Sequence, residues 1–148
     1  MNISDVKQLR EETQAGIADC KRALEEAKGD IAQAKSLLNE WGVAKAAKKG
    51  DRETSAGVVD SYIHAGGTVG ALVSLGCETD FVARTDDFKK LAHEIAMQVA
   101  AMNPKSVDEL MKQPYIRDQK LTIEDLIKQT IAKVGENIKV VAVVRQKV

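Results

Sequence analysis

The alternation of apolar and polar positions changes period along the chain, and the predicted elements follow from those changes. Over the first forty residues apolar side chains recur at helical spacing: Val6 and Leu9, then Ile17, Cys20, Leu24 and Ala27, then Ile31, Ala34, Leu37 and Leu38. Three short helices are predicted. Ser4 caps the first, with Asp5 in its first turn, and Thr13-Gln14-Ala15-Gly16 separates it from the second. Gly29 stops the second helix, Asp30 caps the third, and Trp41-Gly42 closes the unit. Residues 43–53, where Lys45, Lys48 and Lys49 stand among alanines, carry no apolar stripe and read as a solvated linker.

Past residue 53 the period falls to two. Residues 58–65 read as a strand containing Tyr62 and Ile63, and Gly66-Gly67 supplies a turn. Val69, Ala71, Val73 and Leu75 then alternate with Gly70, Leu72, Ser74 and Gly76, completing a β-hairpin. Helical spacing returns with Phe88, Leu91, Ala92, Ile95, Ala96 and Val99, on a helix begun at Thr85 or Asp86 and ended by Asn103-Pro104. Ser106-Val107-Asp108-Glu109 forms a capping box for a short helix limited by Pro114. Thr122-Ile123-Glu124-Asp125 opens another, which buries Leu126, Ile127, Ile131 and Val134 and stops at Gly135. The β-branched run 138–144 is the final strand, joining the hairpin. The fold class is α+β: a three-helix module over residues 1–42, a linker over 43–53, and an antiparallel sheet core packed with helices over 54–148.

Composition narrows the function more than the fold. Twenty-two Lys and Arg residues balance 22 Asp and Glu, so the formal net charge is zero, and residues 1–41 hold eight acids against six bases. Neither balance suits a protein that lives on nucleic acid, and aromatics at 3% leave little for base stacking. No apolar run reaches bilayer length, and the N-terminus lacks a basic, then apolar, leader, so no membrane partner and a cytoplasmic location are expected. The two cysteines, Cys20 and Cys77, are too few and too far apart for a disulfide framework or a zinc knuckle. A Cys77 nucleophile activated by His64, with Glu78 or Asp80 orienting it, lacks a glycine elbow or oxyanion element. Metal binding by His64, His93, Glu78 and Asp80 lacks ligand spacing, and no glycine-rich phosphate loop occurs. No cofactor and no covalent chemistry are expected.

The informative stretch is Cys77-Glu78-Thr79-Asp80-Phe81-Val82-Ala83-Arg84, which joins the second hairpin strand to the long helix. Such connections set side chains at the rim of a rigid scaffold. Pattern alone leaves two readings open: Phe81 and Val82 fold back as a plug over the next helix, or they project as a contact.

This octapeptide resembles the signature segment of the bacterial elongation factor Ts family. Leu9-Arg10-Glu11-Glu12-Thr13-Gln14-Ala15-Gly16-Ile17-Ala18-Asp19-Cys20-Lys21-Arg22-Ala23-Leu24 is similar to that family's ubiquitin-associated-like helical module, and Gly135-Glu136-Asn137-Ile138 to the turn before the last core strand. Gln14 stands where the family more often has Gly. Longer members carry two related core halves, whereas no stretch of this chain repeats, so it resembles a compact single-repeat form without a coiled-coil insertion or C-terminal module. The resemblance implies a guanine nucleotide exchange factor for elongation factor Tu in its GDP-bound and nucleotide-free states. It also implies that Thr79, Asp80, Phe81 and Val82 dislodge Mg²⁺ from that partner, with Phe81 as wedge and Val82 extending its apolar contact. A homodimer would replace the missing second half. The rival reading is a non-catalytic adaptor binding through the helical module.

Overall fold

The computed structural model describes residues 2–148. Three helices come first: α1 (Ile3–Thr13), α2 (Ile17–Glu26) and α3 (Ile31–Ala47). The hairpin β1 (Ala56–Ile63) and β2 (Val69–Cys77) follows, then a four-residue helix α4 (Asp80–Ala83) and the long α5 (Asp86–Met102). The chain ends with α6 (Val107–Lys112), the short strands β3 (Pro114–Tyr115) and β4 (Asp118–Thr122), α7 (Ile123–Val134) and β5 (Ile138–Lys147). The class is α+β, as the periods predict.

The main sheet runs β1-β2-β5 and is antiparallel throughout, so β2 is its central strand. Its inward positions Ala71, Val73, Leu75 and Cys77 are buried, and α5 lays Phe88, Leu91, Ala92, Ile95 and Val99 over them. A second apolar cluster, formed by Val6, Leu9, Cys20, Leu24, Ala34 and their neighbours, holds the three N-terminal helices together. The opposite face of the sheet is open, exposing Val59, Ile63, Leu72, Val141 and Val144.

Helix boundaries depart from expectation at three places, each for a local reason. Asn2, rather than Ser4, caps α1, its side chain accepting from the Ser4 backbone N–H at 3.2 Å. Helix α3 does not close at Trp41-Gly42 but continues to Ala47, because the alanines there are strong helix formers and Ala46 is buried in the main core. Ser106 caps α6 by accepting from Glu109 N–H, yet the Glu109 carboxylate accepts from Lys105, so the capping box is only half formed. At Thr122 and Asp125 the box is complete, and Gly135, at φ 78°, stops α7. Leu126 and Val134 are only partly covered, while Ile127 and Ile131 are buried.

The β3–β4 hairpin was not predicted, because polar side chains rather than an apolar pattern hold it. The buried Gln98 on α5 donates to the Pro114 carbonyl at 3.1 Å and accepts from Ile116 N–H at 3.0 Å. Glu94, also buried, accepts from the Tyr115 hydroxyl and pairs with Arg117 Nε at 2.8 Å. Burial, and then the adjacent carboxylate, push the Tyr115 phenol well above its ordinary value.

Helix α3 is the bridge between the two cores, crossing α7 where Gly42 faces Ala132. A Cβ at residue 42 would meet the Ala132 Cβ at 3.0 Å, so glycine sets how closely the helices approach. Gly42→Leu is expected to lower unfolding stability by about 1–3 kcal/mol through overpacking, measured by urea denaturation.

Candidate functional site

The signature octapeptide leaves the central strand and turns immediately into α4. Thr79 is the N-cap: its hydroxyl oxygen accepts from Val82 N–H at 3.4 Å, and its carbonyl accepts from Ala83 N–H at 3.2 Å and from the Cys77 thiol at 3.2 Å. Thr85 then closes the turn by donating its hydroxyl to the Val82 carbonyl at 2.7 Å while capping α5. With about 100° of rotation per residue, turning Val82 and Ala83 toward the core directs Asp80 and Phe81 away from it.

Both open readings of this stretch are partly realised. Phe81 is 85% exposed and projects from the surface. Val82 is 8% exposed and packs into the core cluster, so it anchors the turn instead of extending an outward apolar contact. The correction is geometric: the turn of α4 that puts Val82 beside Ala83 on the core side carries Phe81, about 100° away, to the solvent side. An exposed phenylalanine forgoes about 2 kcal/mol of burial free energy that a partner surface is able to recover. Asp80 is exposed beside it, in the first turn of α4.

Across the sheet edge the turn is clamped by the segment that leads into β5. Thr79 donates its backbone N–H to Glu136 Oε1 at 2.9 Å and its hydroxyl to Glu136 Oε2 at 2.7 Å. Glu78 returns the contact, its Oε1 accepting from Asn137 N–H at 2.9 Å, with Arg52 3.6 Å away. The Asn137 side chain, 2% exposed, donates to the carbonyls of Arg52 at 2.7 Å and Gly50 at 3.4 Å. Lys49 reaches the Gly135 carbonyl at 3.1 Å. Sequence reasoning placed Gly135-Glu136-Asn137-Ile138 at a turn but gave it no part in the site. Its only local signal is a Glu-Asn pair wedged between a left-handed glycine and a β-branched strand.

The residues weighed for chemistry are not brought together. Cys77 pairs with Ala56 at one end of the hairpin, whereas His64 follows Ile63 at the other, so about 25 Å of strand separates them. His64 Nδ1 lies 3.1 Å from the Tyr62 hydroxyl, and His93 Nδ1 lies 3.7 Å from Asp60. Among the described residues no group of three or more His, Cys, Asp or Glu side chains is arranged to hold a metal ion, and no helix is long and apolar enough to cross a membrane.

What the turn presents, then, is a benzyl group on a hydrogen-bonded mount backed by a packed core, the equipment of a contact surface. The family model described as elongation factor TS matches residues 78–148, beginning inside the octapeptide. An elongation factor Ts of Fervidobacterium nodosum is 42% identical over 188 aligned positions, covering 97% of this chain and 95% of the relative. One from Coprothermobacter proteolyticus is 43% identical over 190 positions, covering 98% and 96%. A Nostoc elongation factor Ts is 51% identical over 135 residues, covering 91% of this chain but 42% of its own length. The chain belongs to the elongation factor Ts family. The first alignment has 40 more positions than this chain has residues, so that relative carries at least 40 residues this chain lacks.

Beneath the turn, burial raises the Cys77 thiol pKa above its ordinary 9.0, and the Glu136 carboxylate adds to the shift; burial likewise raises Cys20. The native state therefore favours neutral thiols. That stabilisation is complete below the pKa of the unfolded thiols and is lost as pH rises through the higher native values. A disulfide exchange reagent at pH 8 is expected to leave both cysteines unmodified in the folded protein and to titrate two thiols in guanidinium; fast native reaction would contradict their burial.

Proposed function

We propose that this chain is a guanine nucleotide exchange factor for elongation factor Tu and performs no covalent step itself. The observation that carries the reading is Phe81, an apolar ring held outside its own core on a turn with little freedom to fold back. In GTP-binding partners of this kind, Mg²⁺ bridges the nucleotide phosphates and backbone donors cradle them, so affinity depends on their register. A ring inserted between the partner's helices would shift that register, since packed elements switch between arrangements instead of stretching. Phe81 is the wedge, Asp80 orients the turn on the partner, and Thr79 braces it, while Val82 keeps the mount fixed from the inside.

Thermodynamically the factor must prefer the nucleotide-free partner. By reciprocity it weakens nucleotide binding by the same ratio, each tenfold requiring about 1.4 kcal/mol of coupling. The three-helix module, residues 1–42, supplies a second hold; the 43–53 bridge, whose first residues continue α3, joins it to the 54–148 core and raises the effective concentration of Phe81 at its target. The open sheet face supports a homodimer, with a second copy covering Leu72 and Val144 in place of the second core half of longer relatives. This assignment places the protein in the cytoplasm with no cofactor of its own.

Two measurements test the reading. The chain should accelerate release of a fluorescent GDP from purified elongation factor Tu, and Phe81→Ala, with an unchanged circular dichroism spectrum, should reduce that acceleration by about thirtyfold, as expected for loss of a central aromatic anchor. Unchanged release with the wild type would defeat the proposal. In sedimentation equilibrium the wild type should show twice the chain mass, and Leu72→Glu the single-chain mass.

A further inference from the structure

Helix α4 has four residues, far too few to hold its own direction in water. Phe81 contributes almost no burial that could hold it. Val82 and Ala83 anchor one side of α4 in the core; the polar hold on the ring's direction comes through Thr79, the N-cap. Both oxygens of the Glu136 carboxylate are spent on that one residue, at 2.9 and 2.7 Å. Because the Thr79 hydroxyl gives its proton to Glu136, its lone pair remains aimed at Val82 N–H, and the hydrogen bonds run as a chain from Glu136 into α4. Next along, Asn137 faces the other way. Its backbone N–H is taken by Glu78, beside the turn, while its side-chain amide holds the carbonyls of Gly50 and Arg52, just beyond the end of α3. One dipeptide thus grips the mount of Phe81 and the segment arriving from the three-helix unit.

We infer that Glu136 and Asn137 are positioning residues for partner engagement: Glu136 aims the turn that carries Phe81, and Asn137 fixes the spacing between that turn and the three-helix unit. The inference rests on the exchange-factor reading of the same site. The two residues act on different parameters. Aim governs how well the ring enters once the complex has formed, and therefore the maximal exchange rate. Spacing governs how the two holds reinforce one another, and therefore the concentration at which the factor half-saturates.

The test uses the full chain with Glu136→Ala, Glu136→Gln and Asn137→Ala. Glu136→Ala is expected to lower kcat for GDP release from elongation factor Tu by about tenfold at unchanged KM, the loss expected for one net charge-assisted hydrogen bond. Glu136→Gln, which still accepts from Thr79 N–H, should recover most of that rate. Asn137→Ala should raise KM by about fivefold with kcat nearly intact, the scale of one neutral hydrogen bond. Hydrogen exchange followed by NMR gives a readout independent of the partner. The amides of Val82, Ala83 and Arg84 should lose about tenfold in protection in Glu136→Ala, while those of Ile95 and Ala96 in α5 keep theirs. The inference is overturned if Glu136→Ala exchanges nucleotide at the wild-type rate, if Glu136→Gln is as slow as Glu136→Ala, or if α4 and α5 amides lose protection together. It is equally overturned if Asn137→Ala and Glu136→Ala both lower kcat with no effect on KM. Should the wild-type chain fail to release GDP at all, the exchange-factor reading falls, and the amide comparison still decides whether Glu136 holds the turn.

Discussion

Two carboxylates cross-bind the exit of one strand and the entrance of another. Glu136 accepts from the backbone and hydroxyl of Thr79, and Glu78 accepts from the backbone of Asn137, over sequence separations of 57 to 59 residues. Hydrogen bonds to an ionised acceptor are the stronger kind, and here each carboxylate uses amide donors left over where a strand pairing ends. Because β2 is central and β5 is its neighbour, the clamp closes the end of the sheet from which α4 departs. The direction of α4, the burial of Val82 and the outward position of Phe81 all follow from that closure.

Much of this was legible in the sequence. Period two gave the hairpin and the apolar stripe gave α5, because both elements bury one face against the same core. Gly29, Asp30, Thr122 and Gly135 gave their helix ends, because each acts through its own backbone or through a side-chain oxygen that accepts from the N–H three residues on. The division of labour between Phe81 and Val82 was not legible, since two adjacent apolar residues have no periodicity until the turn containing them has a geometry. The clamp was also invisible, as nothing local to Glu136 indicates Thr79. The same holds for β3–β4, which depends on Gln98 and Glu94 reaching out of a helix whose visible pattern is apolar.

The structure also shows how two small cores share one chain. The cluster of the N-terminal helices is modest, and helices of 10 or 11 residues such as α2 and α1 are marginal alone. Helix α3 is longer, contributing Leu38 to one core and Ala46 to the other, with Gly42 at the crossing between them. Salt bridges such as Lys45 to Asp19, at 2.7 Å but exposed to solvent, add little beside that packing. The continuity of α3 and the carbonyls captured by Asn137 hold the two units by separate means, one apolar and one polar.

When two bodies press together, the more compliant one yields. Phe81 follows the end of a central strand paired on both sides, and the helix after it, α5, has core residues closed to solvent. Deforming that support would break strand pairing and open a packed interior, whereas a nucleotide pocket in another protein is made of loops that already move to admit and release their ligand. On the proposed exchange reading, the mechanical work of the encounter would be done on the other molecule, and this chain would leave it in the shape in which it arrived.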